Sequence, residues 1–494
     1  MTSTDGHSFG QEHFGRAFLG DQRRTRSLVD VADRCARHPA GSLPQKFKDP
    51  NALRRCYDLM NCRGVTHASV LAPHVQRTVE LLVQQRGVVL NIHDGSELDF
   101  STLTSLRDQL GQIGSGSGWG YQCLNSLLVV PAGKQVLGLV NQILYRRPRV
   151  AKNETRAQKR QREDRESLLW LRAVEQVEVA TATCLRRLGQ DALPEGLRVV
   201  DVVDRGGDTF EFLDREAVLE RLYVVRSSHN RMIQVGHDDT GPMSHLHDHL
   251  RTLAEQGRRD IELSDRPERP ARRACVAVAW AAVQIQAPAN PRGQYRDQPL
   301  AVWSLRVWEP QPPAGVEAVE WFLLTPVPVT TLAEAWEVVD WYCLRWVVEE
   351  FHKAQKTGCA IEDPQFTKVE RLQPMIALLS VVATLLLQLR SDSRDSARQQ
   401  EPATERVAPE YVEVLSGWRY RERRELTLGE FFQALARLGG HQNRRGDGWP
   451  GWLVLWRGWM TLQTMVAGAQ AVRCLEETAP PPKASAQASQ PPPE

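Results

Sequence analysis

Residues 197–208 read LRVVDVVDRGGD. From Leu197 to Val203 the run is apolar apart from Arg198 and Asp201, and it breaks at Asp204-Arg205-Gly206-Gly207. A short run that is apolar on both faces belongs to a central strand covered on both sides, as in a sheet flanked by helices. Upstream, GVVLNIHDGSELDF (87–100) is a second β-type run that ends in an acidic turn. LNSLLVVP (124–131) and QVLGLVNQILYRR (135–147) follow, and a long helix is expected over 155–188. Strands, then a helix, then a further central strand describe a mixed α/β sheet.

Outward from this core, four more β-type runs lie between 221 and 329: RLYVVRSSH, RRACVAVAWAAVQIQ, AVWSLRVWE and VEWFLLTPVPV. They predict an antiparallel β insertion over about 215–330. A long helix is expected from 331 to 357. The N-terminal FGRAFLGDQRRTRSLVDVADRCARHP reads as two helices about a short turn at Gly20-Asp21. Arg23, Arg24 and Arg26 open the second helix, where they suit groove or phosphate docking. An ordinary small helical domain would look the same.

Toward the C-terminus, the apolar run Met375–Leu387 has 13 residues, and a bilayer needs about 20. It reads as a buried core helix. SDSRDSARQQEPATERVAPE is a polar loop, Thr427 and Glu430 form a candidate capping box, and Trp452, Trp456 and Trp459 follow helical spacing. The tail from 478 carries six prolines in 17 residues and is expected to be disordered. The domain expectation is therefore a helical DNA-binding domain (1–66), a catalytic domain (67–370) containing the insertion, a helical domain (371–477) and a Pro-rich tail (478–494).

Composition bounds this picture. The 494 residues are 41% hydrophobic and 25% charged, ample for a buried core. Nine dispersed cysteines without a CxxC pair fit a reducing compartment better than a disulfide framework or a zinc site. With no apolar leader at MTSTDGHSFGQEHFGR, the expected location is the cytoplasm, without a membrane partner.

The net charge of +2 conceals segregation. Residues 1–66 hold 11 Lys+Arg against 7 Asp+Glu, or +4, and residues 146–172 hold 10 against 4, or +6. The remaining 401 residues thus sum to −8. Local basic segments on an otherwise acidic chain suit a DNA binder with an acidic metal site, although solvated Arg-rich helix faces would give the same sums.

Two aspartates, Asp94 after VVLNIH and Asp204 after VVDVV, stand at the ends of separate core runs. Adjacent strand ends would set these carboxylates side by side, as hard oxygen ligands suited to Mg²⁺. A lone strand-end Asp more often caps a turn. The third element is WYCLRWVVEEFHKAQKTG (341–358). At about 100° per residue, Tyr342, Arg345, Glu349, Lys353 and Lys356 share one arc of about 80°. A salt-bridge ladder would explain Arg345–Glu349–Lys353. It would not need the Tyr, nor two of only nine lysines.

These residues resemble the bacterial cut-and-paste DDE transposases of the insertion-sequence-four family, and within it the YREK-signature group typified by the transposon-five transposase. The signature is Tyr342-x2-Arg345-x3-Glu349-x6-Lys356, and the likeness extends over LGDQRRTRSLVDVA, IHDGSELDF, VVDRGGDTFEFL, YVVRSSH, EWFLLTPVPV and ARLGG. It implies a ribonuclease-H-like core with a β insertion, and a catalytic and metal-binding triad of Asp94, Asp204 and Glu349. Tyr342, Arg345 and Lys356, with Lys353 beside them, would contact transposon-end phosphates. Trp321 would stack against a flipped-out base, and Arg226 is a further DNA-contact candidate.

The implied cofactor is Mg²⁺, with Mn²⁺ as a substitute. The partners are double-stranded DNA, as end repeats and target, and a second copy of the chain, with the Trp-rich helix as dimerisation element. The chemistry is two-metal phosphoryl transfer: end nicking, hairpin formation and opening, and strand transfer by the 3′-OH. Where the typical member has two Thr after its first Asp, this chain has Gly95-Ser96, and Gly206-Gly207 replaces Glu-Ala. The alternatives are a catalytically silent, transposase-derived DNA-binding regulator, and a metal nuclease of the same fold without strand transfer.

Overall fold

The computed structural model describes residues 8–149, 154–238, 240–263, 272–288, 295–394, 398–444 and 449–478. It divides into two compact units, His7–Asp392 and a second built from Ser393 onward.

The strands of the first unit are β1 Gly87–Asp99, β2 Gly111–Ile113, β3 Gly118–Val130, β4 Gln135–Tyr145, β5 Leu197–Val203, β6 Leu222–Arg226, β7 Met232–Val235, β8 Met243–His245, β9 Gly257–Leu263, β10 Arg272–Ile285, β11 Leu300–Trp308 and β12 Glu320–Thr325. All join one mixed sheet. β5 lies at its heart, parallel to β1 on one side and to β6 on the other, and Val200 to Val203 are buried. Helix-covered parallel neighbours on both sides explain why this strand reads as a near-continuous apolar run. β3 runs antiparallel to β1 and β4. The fold is α/β, as the sequence indicated.

Strands β7 to β12 pair only antiparallel, and β12 returns to lie against β6. One apolar core runs through this junction, including Trp170, Val203, Phe210, Tyr223, Val283, Val302 and Leu324. A fully buried side chain of this size contributes about 1.5–3 kcal/mol, so the junction is held by burial as well as by the ladder.

The N-terminal helices include Phe9–Phe14, Gln22–Arg37, Pro50–Met60 and His67–Leu82. The second is capped by Asp21, whose carboxylate accepts from the Arg23 amide at 2.8 Å. It turns Leu28, Val31, Ala32 and Cys35 inward. His13 and His74 join the first helix to the last through a 2.9 Å contact between their Nδ1 atoms.

Several elements differ from the sequence expectation. β1 continues through Asp99, so Asp94 is mid-strand and the acidic stretch is not a turn. The expected helix 155–188 is two, Arg156–Gln161 and Leu169–Arg187, separated by a short 3₁₀ turn. The expected helix 331–357 breaks at Leu344-Arg345 and ends in a π turn. The apolar core helix is longer than its apolar run, Val369–Arg394. It is the one helix among the described residues long and apolar enough to cross a membrane, but its apolar window is 83% buried. Ser380 on it accepts from Gln142 and Gln355, both at 2.8 Å, as a core helix would.

In the second unit, helices Pro409–Tyr420, Leu428–Leu438 and Trp452–Thr478 pack together. Thr427 and Glu430 form the expected capping box. Trp452, Trp456 and Trp459 are all buried, and Trp459 stacks on Tyr411 at 5.2 Å. The tryptophan stripe is therefore internal core and not an exposed dimerisation face, because large rings at helical spacing are used first to fill a bundle. The Pro-rich tail beyond Thr478 lies outside the described residues.

Candidate carboxylate site and DNA-facing residues

The parallel register of β1 and β5 runs from Gly87 opposite Leu197 to His93 opposite Val203. Asp94 and Asp204 are the next residues on each strand, where the two chains part. Parallel neighbours lie about 4.8 Å apart, so the register itself brings these carboxylates side by side. It is reinforced from below. His93 contacts the Asp201 carboxylate at 2.7 Å and the Ser126 hydroxyl at 2.9 Å, and Asn91 donates to Asp201 at 2.6 Å. Arg221 closes the network on Asp201 at 2.8 Å. Burial works against the Asp201 charge, but Arg221 and His93 together hold its carboxyl below the ordinary range. Buried hydrogen bonds that cross from β1 to β5 in this way favour one register of the two strands.

Asp94 is buried; its carboxylate accepts from the Gly95 amide at 2.8 Å and from Arg345. Arg345 also donates to Glu349 at 2.6 Å, so one guanidinium bridges two of the three acids. Asp204 caps the turn Arg205–Gly207 by accepting from the Gly206 amide at 2.8 Å. Burial pushes the Asp94 carboxyl up to about 7; Arg345 pulls it down, while Asp204 and Glu349 push it up. The ion pair and the upward shift point in opposite directions. The geometry favours an ionised Asp94 while Arg345 is in place, with excess negative charge around it.

The packing of the turn after Asp204 accounts for the Gly206-Gly207 pair. A Cβ on Gly206 would strike the Trp170 ring, and one on Gly207 would strike Val203 and Trp170. The indole packs so tightly over the turn that only glycine fits.

Tyr342, Arg345 and Glu349 share the wall of an open cavity of about 540 Å³ with Asp94, Asp204, Arg205, Arg226 and His352. The signature helix does not present five residues in one arc. Amide bonds from Arg345, Val347 and Val348 reach back three residues, to Tyr342, Leu344 and Arg345, which overwinds the chain. The π turn Ala354–Gly358 then underwinds it. Lys353 and Lys356 consequently lie outside the cavity wall: Lys353 is exposed, and Lys356 pairs with Glu362 at 3.6 Å.

Trp321 meets the Tyr342 ring edge-to-face at 5.5 Å, and Arg226 stands 6.0 Å from the Trp321 ring. The three form a cationic and aromatic rim beside the acids. Arg205 and His352 also line the cavity but were not singled out in the sequence. His352 was legible in principle, being three residues beyond Glu349 on the same helix. Asp201 had a signal too: a charge inside an otherwise apolar strand must have a buried partner.

Arg23, Arg24 and Arg26 lie elsewhere in the unit, within the first two turns of Gln22–Arg37. Arg23 and Arg26 are exposed, whereas Arg24 donates to the Leu19 carbonyl at 3.0 Å and is structural. In the basic segment 146–172, Arg147 pairs with Glu166, Arg149 with Asp108, Arg162 with Glu154 and Asp164, and Arg165 with Glu211. These arginines are paired locally, so their charge is largely answered within the fold. Residues 150–153 lie outside the described residues.

Among the described residues, no three His, Cys, Asp or Glu side chains are already drawn together as a metal cage. The donor chemistry nevertheless fits a hard divalent cation: three carboxylates line one open cavity, and burial first, then repulsion from Asp204 and Glu349, raises Asp94. Arg345 bridges two of those acids.

Residues 7–64 match the family described as transposase DNA-binding. This supports a transposase, and DNA as its partner.

Proposed function

We propose that the chain is a cut-and-paste DDE transposase of the insertion-sequence-four family and the YREK-signature group. Its substrate is the duplex end of its own element, and its reactions are end nicking, hairpin formation and opening, and 3′-OH strand transfer. The observation that carries this reading is the convergence, on one cavity wall, of Asp94, Asp204 and Glu349 with Tyr342 and Arg345 of the signature. The mixed sheet, in which antiparallel β4, β3 and β1 are extended by parallel β5 and β6, supports a ribonuclease-H-like core.

Asp94, Asp204 and Glu349 would hold Mg²⁺, or Mn²⁺ in its place. When bound, the cations supply Lewis acidity for in-line phosphoryl transfer. Arg345 keeps Asp94 and Glu349 in position and answers their charge until the site is filled. Trp321, backed by Tyr342, offers an aromatic face to a displaced base, and Arg226 places a cation at its side. Lys353 and Lys356, outside the cavity, serve the phosphates flanking the scissile bond as point charges. Two copies of the chain would hold the paired ends.

The test incubates the full chain with Mg²⁺ and DNA carrying the inverted repeats that border its gene. Cleavage at the repeat boundary is expected. Binding without cleavage would instead identify a silent regulator.

A further inference from the structure

Among the described residues Phe18 is the most exposed large apolar side chain, at 90%. Exposed apolar residues scattered singly are ordinary. What distinguishes Phe18 is the rigidity of its surroundings. It sits between the helices Phe9–Phe14 and Gln22–Arg37, and its neighbours Ala17 and Leu19 are buried. Arg16 grips Glu80 through two bonds of 2.6 Å. The Ala17 carbonyl accepts from the Thr25 hydroxyl at 2.9 Å, and the Leu19 carbonyl accepts from Arg24 at 3.0 Å. Gly20 then takes a φ of +79°, which glycine adopts without strain, and Asp21 begins the helix. The backbone on both sides of Phe18 is tied down, and its ring stands in solvent.

Two charges share this face. Arg23 and Arg26 are exposed, and neither guanidinium has an ionic partner among the described residues. That contrasts with the paired arginines of 146–172. Phe18 and Arg26 border the same open groove of about 470 Å³, together with Gln11 and Gln22. An exposed aromatic ring on a fixed backbone, with the Arg26 guanidinium on the same groove and Arg23 one turn before it on the helix, is complementary to a polyanion with apolar faces, which is duplex DNA.

We infer that Phe18 presses against the bases of the bound transposon end, while Arg23 and Arg26 hold the phosphates on either side. The ring contributes by covering apolar base surface, and the arginines by releasing counterions. Because the backbone that carries it is already tied down, only the two torsions of the Phe18 side chain must settle on binding. The inference rests on the transposase reading and names a contact within it.

The two kinds of contact differ in salt dependence, and this makes the test. The full chain is titrated with a fluorescent duplex carrying the terminal repeat, at several salt concentrations. Phe18→Ala is expected to weaken binding about tenfold or more at every salt concentration, with the slope of log K against log salt unchanged. Arg23→Ala and Arg26→Ala are each expected to lower that slope by about one. Phe18→Trp keeps an aromatic face and should bind within about threefold of the parent. Since Phe18 is almost wholly exposed, its replacement leaves the fold intact, and an unchanged melting temperature verifies this. If the parent binds the repeat and Phe18→Ala binds it within about twofold, this contact is wrong and the function stands. If Phe18→Ala changes only the mass of the DNA-free protein in light scattering, the face belongs to a second copy and the inference is overturned. A parent that binds no duplex overturns both.

Discussion

At the residue scale, Arg345 governs the electrostatics of the site. It bridges Asp94 and Glu349, and with only a tenth of its side chain exposed it does so in a poorly screened setting. Arg345→Ala leaves three carboxylates around one cavity, so repeat-boundary cleavage should fall by about 10² or more while end binding changes little. Arg345→Lys should rescue little of that, because an ammonium cannot span two carboxylates as a guanidinium does. A second prediction concerns the turn after Asp204. Gly207→Ala forces a Cβ into Val203 and Trp170, and should lower stability by about 1–3 kcal/mol in denaturant titration. Gly206→Ala collides mainly with Trp170, so adding Trp170→Leu should recover part of its loss, which a double-mutant cycle measures. The Gly-Gly pair was visible in the sequence as a departure from the family pattern. Its cause was not, because Trp170 is far from it along the chain.

At the scale of elements, strands were the legible part. The alternation and apolar runs that mark β1, β5, β6 and β10 to β12 are dictated by burial, which leaves its mark on composition. Helix breaks left no such mark. The overwound step at Leu344-Arg345 and the π turn at Ala354–Gly358 contain no proline, and the step has no glycine. The overwound step comes before Glu349 and the π turn after it, so neither is written in the local composition. These two changes of winding are why Lys353 and Lys356 leave the face that a uniform 100° per residue assigned to them.

The N-terminal helix docks through the His13–His74 contact, and here pH enters. Burial holds His13 down to about 3, and His74 well below its ordinary value, with burial the larger cause and His13 the smaller. The Leu139 amide donates to His74 Nε2 at 3.0 Å, so Nδ1 of His74 carries the proton and donates to His13. Both rings are neutral when folded, and both take up protons near 6.5 once unfolded. Stability is therefore complete above that value and is lost as pH falls from about 6.5 toward 3. His13→Asn keeps an acceptor for His74 without titrating. Its melting temperature should depend less on pH between about 7 and 5 than that of the parent, even if it starts lower.

At the scale of the molecule, a basic N-terminal face and an acidic cavity belong to one chain whose net charge is only +2. The separation of charge was readable from local sums, although the structure reassigns part of it. Arg147, Arg149, Arg162 and Arg165 of the 146–172 segment are paired, and Arg23 and Arg26 of the N-terminal helix are the more available to DNA. The carboxylate site was readable as three acids in a pattern, but the β1–β5 register and the His93–Asp201 network that align them were not. Those depend on which strands become neighbours. If the network holds the register as argued, Asp201→Ala should unfold at lower denaturant concentration, by about 3–5 kcal/mol, since Arg221 would be left a buried charge with weaker partners.

Under the proposed function, Asp94, Asp204 and Glu349 act together on DNA held by other parts of the chain. The most direct measurement compares Glu349→Gln with the parent on one labelled repeat-bearing duplex in Mg²⁺, reading binding and strand cleavage in the same reaction. Equal binding with cleavage reduced by about 10³ or more is the predicted result. Cleavage at the repeat boundary at the parental rate would contradict the account.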